Sequence, residues 1–130
     1  LHSFTPAINH YIKSELDFKT DLKYNMFGSV QPWNNEGDNT RDDLRLAMAQ
    51  NPYLKVLNQS GYYDGATTYF NAKYTLSQID PSGKMKERFH FKGYRSGHMM
   101  YLREEDLIQA NEDLREFLEI SSANGKSARY

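Results

Sequence analysis

Two stretches of this chain, Tyr53-Leu54-Lys55-Val56-Leu57 and Arg88 to Tyr94, read as strands, and Ala66 to Ile79 between them reads as a helix. Strand, helix, strand in that order makes parallel neighbours joined by a right-handed crossover. Parallel strands need further strands beside them and helices on both faces, so a pair does not make a stable sheet by itself. The sequence therefore predicts an α/β fold in which these two strands belong to a larger sheet whose other strands lie elsewhere.

Other elements follow from capping and periodicity. Thr5-Pro6 suits a helix start, and Ile8, Tyr11, Ile12 and Leu16 fall on one face up to about Asp17. Residues 18–39 keep no period and carry Gly28, Pro32, Gly37 and several Asn, which reads as a long loop or cap. Thr40-Arg41-Asp42-Asp43 resembles a capping box ahead of a short helix through Leu44, Ala47 and Met48 that Asn51-Pro52 ends. Asp80-Pro81-Ser82-Gly83 is a turn. In Arg88 to Tyr94, Phe89 and Phe91 point one way and His90 and Lys92 the other. Glu104 to Ile120 is the clearest helix, with a stripe of Leu107, Ala110, Leu114, Phe117 and Leu118 and acids at its positive end. A small polar tail fills 121–130.

Composition narrows the function classes. The 130 residues leave room for one domain, and ten Tyr and seven Phe argue against disorder despite a mean hydropathy of −0.82. Sixteen basic and seventeen acidic residues give a net charge of −1 with no basic stripe, so nucleic acid is not an expected partner. There is no cysteine, which excludes a disulfide framework and a thiolate metal site. No apolar run approaches the roughly 18 residues of a membrane span. The start at Leu1, without Met or a charged-then-apolar leader, reads as internal or processed.

Two short motifs carry the chemistry. Gly61-Tyr62-Tyr63-Asp64-Gly65 follows the first strand, and Ser96-Gly97-His98-Met99-Met100 follows the second. Asp then His, each in the loop after a strand, is the order of the last two members of an α/β-hydrolase triad. Taken singly, each has a plainer explanation. Asp-Gly is ordinary turn chemistry, and a loop His is more often a surface residue than a catalyst. Their spacing matters more: 34 residues hold one helix, one strand and turns, which puts both at the ligand-binding edge of adjacent strands. None of the Ser residues lies in Gly-x-Ser-x-Gly, as Phe27-Gly28-Ser29-Val30 and Asn58-Gln59-Ser60-Gly61 illustrate. Metal binding lacks a His-Glu-x-x-His, and Glu104-Glu105-Asp106 lacks the glycine and spacing of a calcium loop. The remaining His residues, at 2, 10 and 90, have no comparable setting; His90 reads as a strand residue facing solvent or a covering helix. The many Tyr residues read as the edge of a core, with rings buried and hydroxyls wet.

Asn51 to Leu57 with Ser60 to Asp64, followed by Tyr94-Arg95-Ser96-Gly97-His98-Met99-Met100-Tyr101, resembles the C-terminal part of bacterial serine carboxypeptidases. Leu22 to Trp33 and Arg45-x-Ala47-Met48 are also similar to that branch, and the resemblance runs over roughly residues 5 to 119. It implies that 1–130 is the C-terminal segment of one α/β-hydrolase catalytic domain, with Asp64 as triad Asp and His98 as triad His. Met99 matches a residue lining the pocket for the departing C-terminal amino acid. It further implies a peptidase acting on peptide or protein C-termini through an acyl-enzyme, without cofactor or metal, exported to the periplasm or medium. The nucleophilic Ser would come from the N-terminal part of the same enzyme. Gly65-Ala66-Thr67-Thr68 departs from the Val-Pro of better-known members and leaves substrate contacts open. The alternative is a non-catalytic α/β module that binds a peptide or partner, and an open sheet edge would favour homo-oligomers by strand exchange.

Overall fold

The structure, a computed structural model, describes residues 2–34, 36, 37 and 39–122; the tail expected over 121–130 lies, beyond Ser122, outside the described residues. The chain divides into two compact units, Leu1–Gly37 and Asp38–Tyr130, which are taken in turn.

In the first unit, α1 (Phe4–His10) runs on into a wider π-helical turn, Tyr11–Glu15. Ile8 and Ile12 are half-buried as the periodicity requires, but Tyr11 and Leu16 stay exposed. Five residues per hydrogen-bonded ring shift the faces after Tyr11, so the sequence stripe does not continue as one line. The Asn9 side chain ties the following loop to α1. Its amide donates to Tyr24 O at 3.1 Å while its oxygen accepts Tyr24 N–H at 2.8 Å. No helix or strand occurs among the described residues of 18–39.

The second unit opens with α2 (Arg41–Gln50). Leu44, Ala47 and Met48 form its inner face, with Met48 fully buried. The capping box does not form, since the Thr40 side chain makes no cap bond and Asn39 Oδ1 accepts the Arg41 N–H at 3.1 Å. Next come β1 (Val56–Gly61), α3 (Tyr69–Ile79), β2 (Phe89–Tyr94) and α4 (Glu104–Ser121). β1 and β2 pair in parallel, Val56 opposite Phe89 through Gly61 opposite Tyr94. Among the described residues the sheet has these two strands, so the α/β class stands as a small parallel sheet with helices.

β1 begins three residues later than the sequence indicates and ends at Gly61. Its central residues Asn58, Gln59 and Ser60 are polar, and each has a partner. Gln59 donates to Tyr94 Oη and to Ala110 O, and Ser60 Oγ donates to Asn58 Oδ1. Satisfied polar side chains can occupy a half-buried strand without the apolar signal that marks one. β2 matches its expectation closely. Phe89 and Phe91 line one face with α3's Phe70, Tyr74 and Leu76, and His90 packs edge-to-face on Phe117 of α4. The turn at Asp80 also forms, with Gly83 at φ +69° and Asp80 accepting the N–H groups of Lys84 and Met85.

α4 is rotated from its expected setting. Its inward residues are Asp106, Ala110, Asp113 and Phe117, spaced at helical intervals, whereas Leu107, Leu114 and Leu118 are exposed. Helical spacing puts those leucines on the flank of α4 opposite Glu116, which bonds Lys92 of β2.

Past the strands the chains stay together. Tyr62 N–H donates to Tyr94 O at 2.8 Å, and Tyr63 N–H to Ser96 O at 3.0 Å. This approach depends on Gly61, where a Cβ would lie 2.2 Å from Gly97 O and 2.4 Å from Ser96 O. Backbone atoms cannot swing aside as a side-chain end can. Gly61→Ala should therefore destabilise the chain by about 1–3 kcal/mol, the range for overpacking, read as a lower midpoint in urea unfolding.

Candidate functional site

The two loops bring Asp64 and His98 together at the C-terminal ends of β1 and β2. His98 Nδ1 lies 2.9 Å from Asp64 Oδ2. Asp64 is buried, while the His98 side chain is 66% exposed. The sequence pairing is thus realised in space, and the third named residue, Met99, follows His98 in the chain and is 39% exposed.

Asp64 is held by its own loop. Its Oδ1 accepts the backbone N–H groups of Ala66 at 2.8 Å and Thr67 at 2.9 Å. Its Oδ2 accepts the Thr67 hydroxyl at 2.7 Å as well as facing His98. Turn chemistry and site chemistry are therefore the same arrangement, because the Asp–Gly turn fixes the carboxylate by two residues ahead and three. The Thr67 hydroxyl, the Thr67 amide and His98 together hold the Asp64 carboxyl well below the usual carboxylate range, against the opposing effect of burial. A carboxylate so held stays an anion beside the imidazole and does not take its proton.

Since Asp64 is acceptor-only, the Nδ1 that faces it is the donor. In the neutral ring that leaves Nε2 as the acceptor, and it has no hydrogen-bond partner among the described residues. This is the tautomer a general base needs.

Three groups that anchor the His98 loop escaped the sequence reading. Ser96 Oγ donates to Asp106 Oδ2, and Arg103 donates to Asp106 Oδ1 at 2.7 Å. Asp106, buried in the first turn of α4, thereby clamps the loop on both sides of His98. Glu104-Glu105-Asp106 reads in sequence as a helix start, and only Arg103, three residues before Asp106, hinted at the clamp. Thr67 had a better signal, standing three residues after an Asp in a loop.

Beneath the site lies a second polar cluster. Tyr94 Oη donates to Asp113 at 2.8 Å and accepts from Gln59, and Lys92 bridges Asp113 at 2.9 Å and Glu116 at 3.2 Å. Burial, then the neighbouring Asp113 carboxylate, pushes the Tyr94 phenol up. Burial alone would raise the Asp113 carboxyl, but Lys92, Tyr94 and Gln109 more than offset it and leave it lowered. Lys92 is raised by the same contacts, led by Asp113. Among the described residues no group of three or more His, Asp or Glu gathers as a metal set, and no helix is long and apolar enough to cross a membrane.

The depressed Asp64 value has a testable sign. Its stabilising contribution is fully present above the unfolded value, about 3.9, and is lost as pH falls through the lower folded value. Carbon-detected NMR should find Asp64 still ionised at a pH where ordinary Asp side chains are half-protonated; co-titration with them would contradict the arrangement. Compared with protein-family models, curated proteins and solved structures, the chain matches none.

Proposed function

We propose that this chain is the C-terminal segment of a serine carboxypeptidase-like hydrolase and supplies the Asp and His of a Ser-Asp-His triad whose Ser lies outside it. The observation that carries the reading is the 2.9 Å contact between His98 Nδ1 and a buried, strongly ionised Asp64 at the ends of adjacent parallel strands. The motifs resembling the bacterial carboxypeptidases contain these same two residues.

In this reading His98 Nε2 takes the hydroxyl proton of the Ser as its oxygen adds to the scissile carbonyl. The imidazolium then gives that proton to the departing amine, releasing the C-terminal amino acid and leaving an acyl-enzyme. Water, deprotonated by the same nitrogen, attacks the ester and restores the Ser. Asp64 holds the ring and stabilises its positive charge throughout. Met99 lines the pocket of the leaving amino acid. No metal or cofactor enters the reaction, and the protein is exported.

The exposure of His98 and the side of β1 left unpaired among the described residues support a site completed by further sequence. Leu107, Leu114 and Leu118 of α4 are exposed, and further sheet and helices would give that apolar surface something to pack against.

The test is fluorophosphonate labelling of the longest natural gene product beside His98→Ala and Asp64→Asn. Labelling should be present in the parent and fall by about 10⁴-fold in either variant. Absence of labelling in the parent would leave a scaffold that binds a peptide or partner. The isolated 130-residue chain should show no peptidase turnover; turnover abolished by His98→Ala would place the nucleophile within it.

A further inference from the structure

Asp64, His98 and Thr67 form a triangle rather than a pair. The Thr67 hydroxyl is 2.7 Å from Asp64 Oδ2 and 3.5 Å from His98 Nδ1, and Oδ2 is 2.9 Å from that nitrogen. A hydroxyl has one proton to give. The shorter separation commits it to the carboxylate, so what Thr67 turns toward the ring is lone-pair density.

Nδ1 then faces two acceptors, Asp64 Oδ2 and Thr67 Oγ1. An unprotonated Nδ1 in that corner would be opposed by both, whereas a protonated one is favoured by both. The long 3.5 Å leg is too weak to act as a hydrogen bond in its own right. Its contribution is to penalise the wrong tautomer and to keep the carboxylate turned so that Oδ2 meets the ring. The Thr67 backbone N–H, held by Oδ1, fixes the same carboxylate from its other oxygen. Residue 67 therefore grips both oxygens of Asp64, one through main chain and one through side chain.

We infer that Thr67 is a positioning residue that acts through Asp64 to hold the His98 proton on Nδ1 and leave Nε2 as the free base, an inference that rests on the triad reading for its catalytic consequence but not for the geometry. Residue 67 is exposed and its hydroxyl meets only Asp64 and His98, so its removal bears on that pair.

The test is nitrogen NMR of the full gene product carrying ¹⁵N-histidine, with His98 assigned by comparison with His98→Gln. In the parent the neutral ring should carry its proton on Nδ1. Thr67→Val, equal in shape but without the hydroxyl, should move a measurable share to Nε2, Thr67→Ala should do the same, and Thr67→Ser should restore the parental signal. Fluorophosphonate labelling should fall roughly tenfold to a hundredfold in Thr67→Val, the range for losing the outer partner of a metal-bound imidazole, and recover in Thr67→Ser. An unchanged tautomer in both Val and Ala variants would overturn the inference, even if labelling fell. A tautomer shift in a parent protein that is never labelled would uphold it while removing the triad reading.

Discussion

A methyl group at residue 61 has nowhere to go, and the site depends on that. Because Gly61 brings β1 within reach of the Ser96–Gly97 backbone, the ladder continues for two more bonds after the strands end. Those bonds carry Asp64 to the level of His98. Gly93, one register step earlier, gives room to the Tyr62 ring, which a Cβ would meet at 2.4 Å, but that neighbour is a side-chain end and not main chain. Gly61 thus sets the approach of the loops, and the acid–base pair inherits its separation from main-chain geometry. Side chains then refine it, as Thr67 fixes the carboxylate and Asp106 clamps the loop that bears the imidazole.

The layer between sheet and α4 is polar to an unusual degree. Two buried aspartates point inward from the helix; Tyr94 and Lys92 of β2 meet one of them, and Gln59 of β1 donates to Tyr94 Oη and to the Ala110 carbonyl beside it. Burying such groups gains little net energy over apolar packing, since desolvation offsets much of the attraction. Removing one partner would be costly, because the rest would be left unpaired in a poorly solvated place. The cluster therefore fixes the helix in one rotation. Leucines at 107, 114 and 118 would otherwise compete for the inner face, and in this chain they do not occupy it.

That rotation marks the limit of what the sequence discloses. The order of elements, the alternation of β2, the inner face of α2 and the meeting of Asp64 with His98 are all legible, since each rests on local spacing or on topology. In α4 the helix, Ala110 and Phe117 are read correctly and Leu107, Leu114 and Leu118 are not, because apolar periodicity assumes that the inner stripe is the greasiest one, and partnered aspartates break that rule. β1 is misplaced by three residues for the same reason, as Asn58, Gln59 and Ser60 look like a loop until their partners are known. Thr67 and Asp106 escaped because their importance lies in what they touch across the fold, and a hydroxyl or a helix-start acid carries no mark of that in one dimension.

His98 presents its two nitrogens to different media. Nδ1 turns inward to a sheltered carboxylate, and the rest of the ring stands in solvent. A water-borne electrophile small enough to approach therefore finds one lone pair, not two. Alkylation or acylation of this imidazole would give a single regioisomer on Nε2, and the modified ring would still hold its bond to Asp64. The fold has in effect protected one nitrogen the way a chemist would, by occupying it.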